Sequence, residues 1–94
     1  MKKPSPRLAH ARDRAMERYG IELSDDDLLG LETQISGGKG VLIRRSGARE
    51  IIMLKVAQAV VIAVFDPMSR HIITFLRADQ IRRYLTPQNR KMRQ

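Results

Sequence analysis

Cysteine is absent from this chain, and aromatic residues are scarce: two tyrosines, two phenylalanines and no tryptophan among 94 residues. The lack of cysteine excludes disulfides and thiolate zinc sites. His10 and His71, the two histidines, are too far apart in the sequence to suggest a metal site, so we expect neither metal nor cofactor. With so few aromatic side chains, we also expect no base-stacking platform of the kind that RNA-recognition motifs carry.

Long hydrophobic runs are also lacking. The longest apolar stretch, IIMLKVAQAVVIAVF at 51–65, is shorter than the roughly 20 residues that a membrane span needs, and Lys55 and Gln58 interrupt it. The first residues, MKKPSPRL, are basic, but no apolar segment typical of a secretory signal follows them. We therefore expect a cytoplasmic protein without membrane contact.

The charge is strongly basic, and much of the excess lies near the ends. The formal net charge is +8, and the ends carry six basic residues (Lys2, Lys3, Arg7, Arg90, Lys91 and Arg93) with no acid among them. We predict a single domain at 8–86 between flexible basic tails at 1–7 and 87–94. Such tails would attract phosphate without sequence preference, which makes nonspecific nucleic-acid binding one candidate function.

Two helices are predicted before any strand. Apolar residues from Leu8 to Tyr19 recur at the three-and-four spacing of an amphipathic helix, and Gly20 should end it. Ser24 and the three aspartates after it are typical of a helix start, because the hydroxyl caps the backbone and the carboxylates favour the positive end of the helix dipole. This second helix should end at Gly37.

From residue 41 onward the pattern changes to short runs rich in β-branched residues, at 41–45, 49–56, 59–65 and 71–76. The SG pair at 46–47 and the DP pair at 66–67 are good turn sequences, whereas the AQ pair at 57–58 is a poor hairpin turn. The expected fold class is α+β: two N-terminal helices packed on a four-stranded antiparallel sheet, with a short C-terminal helix at 78–85.

The middle strands are apolar on both faces, since Ile51 and Met53 alternate with Ile52 and Leu54. Two helices can cover only one face of so small a sheet well. The other face should then be covered by a partner or by a second copy, which makes a homodimer through this face a possible assembly.

The first helix carries His10, Arg14 and Arg18 at four-residue spacing, in the stretch HARDRAMERYGI. Positions four apart drift by about 40° and form a row, which here lies along the edge of the apolar stripe. Arginine offers a fixed fork of donors to phosphate, and histidine can move a proton near neutral pH. Three interpretations remain: a solvated face paired with Asp13 and Glu17, a phosphate-binding surface, or an acid/base site.

Four short motifs suggest a family. The string H-A-x-x-R-x-x-x-R-Y-G-I, an S-D-D-x-L helix start, V-F-D-P and I-I-T-F-L together resemble small phage and bacterial proteins related to the barnase–EndoU–colicin–RelE fold. The resemblance covers roughly residues 8–77. It implies N-terminal helices on a four-stranded antiparallel sheet. It also implies an RNA-directed protein of a group that includes many metal-independent endoribonucleases and toxins.

The resemblance also suggests site residues. It implies that His10 transfers protons, that Arg14 and Arg18 hold phosphate, and that Thr74 of IITFL donates a hydrogen bond. RNA is the implied substrate, and a toxin-like protein could have an antitoxin as its protein partner. In this sequence Ala57-Gln58 stands where the group usually has a glycine-containing hairpin.

Other residues have open roles. Strand alternation would place His71 on one face with Ile73 and Phe75, where it is either a strand-edge residue or a missing general acid. No role is assigned to Tyr84. The first hairpin region carries five cations that form a candidate nucleic-acid surface: Lys39, Arg44, Arg45, Arg49 and Lys55. Lysine and arginine also commonly protect the edges of sheets.

A rival hypothesis needs no catalysis. A small non-enzymatic phage accessory protein could bind and modulate a host protein through its apolar sheet face or its acidic second helix. This hypothesis fits the small size and the missing second proton-transfer residue.

Overall fold

The computed structural model describes residues 6–81. Two helices, α1 and α2, precede four strands, β1 to β4, and a short 3-10 helix follows. Their bounds are Pro6–Tyr19 (α1), Asp25–Ser36 (α2), Val41–Ser46 (β1), Arg49–Val56 (β2), Ala59–Asp66 (β3), His71–Leu76 (β4) and Ala78–Ile81 (3-10). The strands form one antiparallel sheet in the order β1-β2-β3-β4. The predicted α+β class, with both helices ahead of the sheet, is confirmed.

The predicted termini fit the structure only in part. Helix α1 begins at Pro6, so the end of the predicted tail at 1–7 is already helical. The predicted C-terminal helix at 78–85 is represented by a 3-10 turn at Ala78–Ile81, and its remainder lies outside the described residues, as do Tyr84 and the tail at 87–94. No helix among residues 6–81 is long and apolar enough to cross a membrane.

Helix α2 begins and ends where its sequence indicates. The Ser24 hydroxyl accepts the Asp27 N–H at 3.0 Å, and the Asp27 carboxylate accepts the Ser24 N–H at 3.0 Å, which is a complete capping box. After Ser36, the N–H groups of Gly37, Gly38 and Lys39 bond to carbonyls of the last turn. Both ends of α2 therefore have hydrogen-bond partners for backbone groups that the helix itself leaves open.

The main core lies between the helices and one face of the sheet. Both helices contribute to it, and Leu28, Ile72 and Phe75 are almost fully buried there. It also includes Leu8, Ala11, Ala15, Leu31, Ile35, Ile52, Leu54, Val56, Val61, Ala63 and Phe65. The apolar stripe of α1 and the alternate residues of β2 and β3 thus face each other, as their spacing predicts.

The opposite face of the sheet has its own cluster of Ile51, Ile62, Val64 and Leu76, and Ile51 is 0% exposed. Neither helix contributes to this cluster. The register places Val41, Met53 and Val60 on the same face, and these three side chains are exposed. The exposed apolar area expected on this face is therefore confined to one end of it.

Two β-bulges shift the register. In β4, Ile72 pairs with Phe65 and Thr74 with Val64, so Ile73 is the extra residue. An equivalent shift in β1 follows Leu42. Because of the bulge, Ile73 packs with the cluster away from the helices, while Phe75 packs in the main core. The predicted common face for Ile73 and Phe75 is therefore wrong.

The β2–β3 connection is a two-residue hairpin despite its unfavourable sequence. Val56 pairs with Ala59, and the two residues between them, Ala57 and Gln58, have φ values of 49° and 68°. Two-residue hairpins of type I′ have positive φ at both central positions, which matches the twist of the strands. Strand pairing on both sides holds two non-glycine residues in a conformation that they adopt at a cost.

Candidate functional site

Helix α1 presents the predicted histidine–arginine row along its flank. His10 is exposed and makes no side-chain hydrogen bond or ion pair with any residue of 6–81. The Arg14 guanidinium contacts the Glu17 carboxylate at 3.1 Å, and Glu17 also lies 3.8 Å from Arg18. The row thus exists as predicted, but one carboxylate lies beside both of its arginines.

Arg18 has a structural contact in addition. Its guanidinium donates to the carbonyl oxygen of Phe75 at 2.7 Å, and its side chain is only 18% exposed. Phe75 belongs to β4, which forms one edge of the sheet. Arg18 thus bonds an edge-strand backbone group, which reduces the ability of that edge to pair with another chain.

The neighbouring Tyr19 also binds the edge strand. Its hydroxyl accepts the Ile62 N–H at 3.2 Å and donates to the carbonyl oxygen of Leu76, so it bridges paired residues of β3 and β4. Burial raises the pKa of the Tyr19 hydroxyl above its ordinary value of 10.0, and this outweighs the hydrogen bond from Ile62 and the charge of Arg18, which both lower it. Tyr19 is therefore a structural hydrogen-bonding residue, a role that sequence spacing did not indicate.

Thr74 does not join the row on α1. It pairs with Val64, whose side chain belongs to the cluster on the sheet face away from the helices. His10, Arg14 and Arg18 extend from a helix that packs on the other face. The structure therefore places the three helical residues along one helix and Thr74 on the opposite face of the sheet.

A buried carboxylate that sequence reasoning missed joins α1, α2 and β4. Glu32 of α2 is 6% exposed, and its Oε2 accepts hydrogen bonds from the Arg7 guanidinium and, at 2.7 Å, from the Ile72 N–H. A buried carboxylate is tolerated only where its charge and lone pairs have such partners. Glu32 falls on the apolar stripe of α2, between Leu28 and Ile35, and this position is the signal that could have identified it.

The five predicted nucleic-acid-binding cations are not gathered at one place. Arg44, Arg45 and Arg49 lie around the β1–β2 turn, and Lys39 is exposed in the loop before β1. Lys55 is six residues beyond Arg49 on β2, which is about 20 Å along the strand. It therefore lies near the β2–β3 turn, at the opposite end of the sheet.

Because neighbouring strands run in opposite directions, the β1–β2 and β3–β4 turns share one end of the sheet. This end, called the basic end below, carries four arginines: Arg44, Arg45, Arg49 and Arg70. The two acids that its strands contribute have partners, since Glu50 lies 3.4 Å from Arg45 and the Asp66 carboxylate accepts the Met68 N–H at 2.9 Å. The basic end therefore has a positive excess.

The other end of the sheet is acidic. A cavity of about 470 Å³ there is lined by Glu22, Asp26 and Asp27, together with Lys55 and apolar residues of α2 and β2. Residues 6–81 carry eleven basic and ten acidic side chains, so the described part is nearly neutral. Its charges are nevertheless unevenly distributed, because four arginines lie at the basic end while Glu22, Asp26 and Asp27 lie at the other end, where Lys39, Lys55 and Arg77 offset them in part.

His71 lies at the basic end, not in the α1 row. It pairs with Asp66 at the start of β4, is half-buried, and lines a cavity of about 300 Å³ together with Glu32 and Arg70. His10 and His71 are therefore on different elements with different neighbours. The interpretation of His71 as the missing general acid of an α1 site stays a prediction.

Within the described part of the chain, no three histidine, aspartate or glutamate side chains come together in a way that could hold a metal ion. Comparisons of the chain with protein-family models, with curated proteins and with solved structures found no match in any of the three.

Proposed function

We propose that this chain is an RNA-directed protein, related to the barnase–EndoU–colicin–RelE group, that holds the phosphate backbone of RNA at its basic end. The observation that carries the proposal is the gathering of four arginines at this end of the sheet, while three acids line the cavity at the other end. Arg45 and Arg49 are exposed at the basic end, Arg45 by 69% of its side chain. Arginine side chains that contact phosphate release counterions, which favours binding to any RNA sequence.

The acidic end would determine which end of the protein faces the RNA. Glu22, Asp26 and Asp27 would repel a phosphate backbone, and only Lys55 opposes them in that cavity. The RNA would therefore approach the β1–β2 and β3–β4 turns. The basic residues outside 6–81 would add attraction of the same sign.

The salt dependence of RNA binding tests the proposal. Binding of a short labelled single-stranded RNA is followed by fluorescence anisotropy over a salt series, for the wild type and for the double variant Arg45→Gln/Arg49→Gln. Two lost phosphate contacts should lower the slope of log K against log salt by about 1.4. An unchanged slope, with both proteins equally folded by circular dichroism, contradicts the proposed surface.

Metal-independent RNA cleavage is a second candidate function, favoured by His10. This histidine is exposed, has no side-chain partner among residues 6–81, and lies one turn from Arg14. In such a reaction His10 would remove the proton of a ribose 2′-hydroxyl, and the 2′-oxygen would bond to phosphorus as the bond to the 5′-oxygen breaks. The leaving 5′-oxygen would take a proton from water, and Arg14 would stabilise the added negative charge on the phosphate oxygens. The assay is incubation with total RNA in EDTA and mapping of the ends, with cyclic phosphate as the diagnostic product.

A further inference from the structure

Arg70 is the arginine of the basic end that belongs to the β3–β4 turn, and like Arg49 it has no described side-chain partner. It makes no side-chain hydrogen bond and no ion pair with any residue of 6–81. Its backbone is nevertheless fixed: φ is 63°, and its N–H donates to the Asp66 carbonyl oxygen at 2.7 Å. The turn thus presents a guanidinium that no described side chain neutralises.

The surroundings of Arg70 are concave. Arg70 and Ser36 line two adjacent cavities between α2 and the β3–β4 turn, of about 300 Å³ and about 270 Å³. Ser69 and His71 also line the first of these. A guanidinium, two hydroxyls and an imidazole all offer hydrogen-bond donors, which is the set that a phosphate group needs.

The carboxylates beside these cavities do not cancel the charge of Arg70. Glu32 is bonded to Arg7 and to the Ile72 N–H, and Glu50 is paired with Arg45. The carbonyls at the end of α2 accept hydrogen bonds from the N–H groups that follow Ser36. Each negative group near the cavities therefore has a partner of its own, whereas Arg70, which lines both cavities, has none among the described residues.

We infer that Arg70, with Ser36, Ser69 and His71 around it, forms a phosphate subsite of the RNA-binding surface. This inference rests on the proposed function, since it assigns one backbone phosphate of the bound RNA to the groove between α2 and the β3–β4 turn. It extends the surface from the first hairpin to the second, so that RNA lies across the basic end and not along β2.

The test compares Arg70→Gln with Arg77→Gln in the full chain. Arg77 follows β4 at the opposite end, is exposed, and pairs with Asp79 at 3.2 Å. Arg70→Gln should lower the salt slope of RNA binding by about 0.7, the effect of one lost contact to single-stranded RNA, and Arg77→Gln should not. In the wild type, titration with inorganic phosphate should shift the backbone amide signals of Ser36, Ser69 and His71, and Arg70→Gln should abolish those shifts.

The possible outcomes separate the two proposals. If Arg45→Gln/Arg49→Gln weakens RNA binding but Arg70→Gln leaves both the slope and the phosphate shifts unchanged, the subsite is wrong and the proposed function stands. If the wild type does not bind RNA, the proposed function and the RNA subsite are both overturned. If Arg77→Gln weakens binding as much as Arg70→Gln, the effect is one of net charge and the subsite is again wrong.

Discussion

The Arg18 guanidinium donates a 2.7 Å hydrogen bond to the carbonyl oxygen of Phe75, which joins the end of α1 to the edge strand β4. The sequence pattern places Arg18 in a row with His10 and Arg14, and the family resemblance implies that the two arginines hold phosphate while His10 transfers protons. In the structure the row is divided: Arg18 supports the sheet edge, Arg14 pairs with a surface carboxylate, and His10 is exposed.

Arg18→Ala should lower the free energy of unfolding by about 1.5–3 kcal/mol, the usual contribution of a hydrogen bond to a charged group. Arg14→Ala is the matched control, because its exposed ion pair with Glu17 is worth only about 0.2–0.5 kcal/mol. Urea denaturation measures both. Equal effects of the two substitutions would show that the bond between Arg18 and Phe75 does not stabilise the fold.

Tyr19→Phe should destabilise the protein by about 1–3 kcal/mol, because it leaves the Ile62 N–H and the Leu76 carbonyl without their bridging hydroxyl. Amide hydrogen exchange at Ile62 should become faster in the variant. Amide exchange at the core residue Leu28, on a helix that the hydroxyl does not contact, serves as the control. Any faster exchange at Leu28 measures the loss of stability of the whole domain, and the additional increase at Ile62 measures the local effect.

The raised pKa of Tyr19 gives that residue a pH dependence. The folded state favours the protonated hydroxyl, so its contribution to stability is complete below the ordinary pKa of 10.0 and is lost as the pH rises through the higher value of the folded state. The difference in stability between the wild type and Tyr19→Phe should therefore shrink above about pH 10. A difference that stays constant through that range would contradict the assigned hydrogen bond.

The Ala57-Gln58 turn should accept a better sequence. Replacing the pair by Asn-Gly puts favoured residues at two positions of positive φ and should raise the free energy of unfolding by about 1–2 kcal/mol. Gly47→Ala is the opposite substitution at the first hairpin and should lower the free energy of unfolding. At Gly47 φ is 63°, and no atom lies within 4 Å of an added Cβ, so the loss would come from the backbone conformation and not from a clash. A loss of stability with Asn-Gly at 57–58 would contradict the turn geometry.

His10→Ala separates binding from cleavage. If the second candidate function is correct, the wild type cleaves total RNA in EDTA and leaves cyclic phosphate, whereas the variant is folded and inactive. Cleavage by both proteins would remove His10 from the role that the resemblance implies. Cleavage by neither, with RNA binding intact, leaves the protein as an RNA-binding protein without turnover.

The sequence predicts much of this fold because local signals are strong and agree. Ser24 and Gly37 mark the ends of α2, and alternating apolar residues mark four strands in their observed order. The β-bulge at Ile73 could not be predicted, since it depends on how β4 fits β3, and it decides which face each later residue occupies. Sequence spacing likewise identified the row on α1 but could not show that Arg18 bonds Phe75, because that contact depends on helix packing.

The candidate site was less predictable than the fold for a similar reason. Lys55 and Arg49 are near in sequence but lie at opposite ends of β2, while Arg49 and Arg70 are far apart in sequence and lie at the same end of the sheet. The position of Glu32 on the apolar stripe of α2 indicates burial, but its partners Arg7 and Ile72 belong to two other elements and could not be identified from spacing. The predicted set of cations differs from the basic end because the fold decides which cations lie together, and residue type alone does not show this.

The most direct test of RNA binding at the basic end is the RNA affinity of Arg49→Gln beside that of Lys55→Gln. Both substitutions remove one exposed cation from the same strand, and each changes the net charge equally. Binding should be weaker and the salt slope smaller for Arg49→Gln, with little change for Lys55→Gln. Equal losses in the two variants would show that net charge alone attracts RNA and would contradict a binding surface at the basic end.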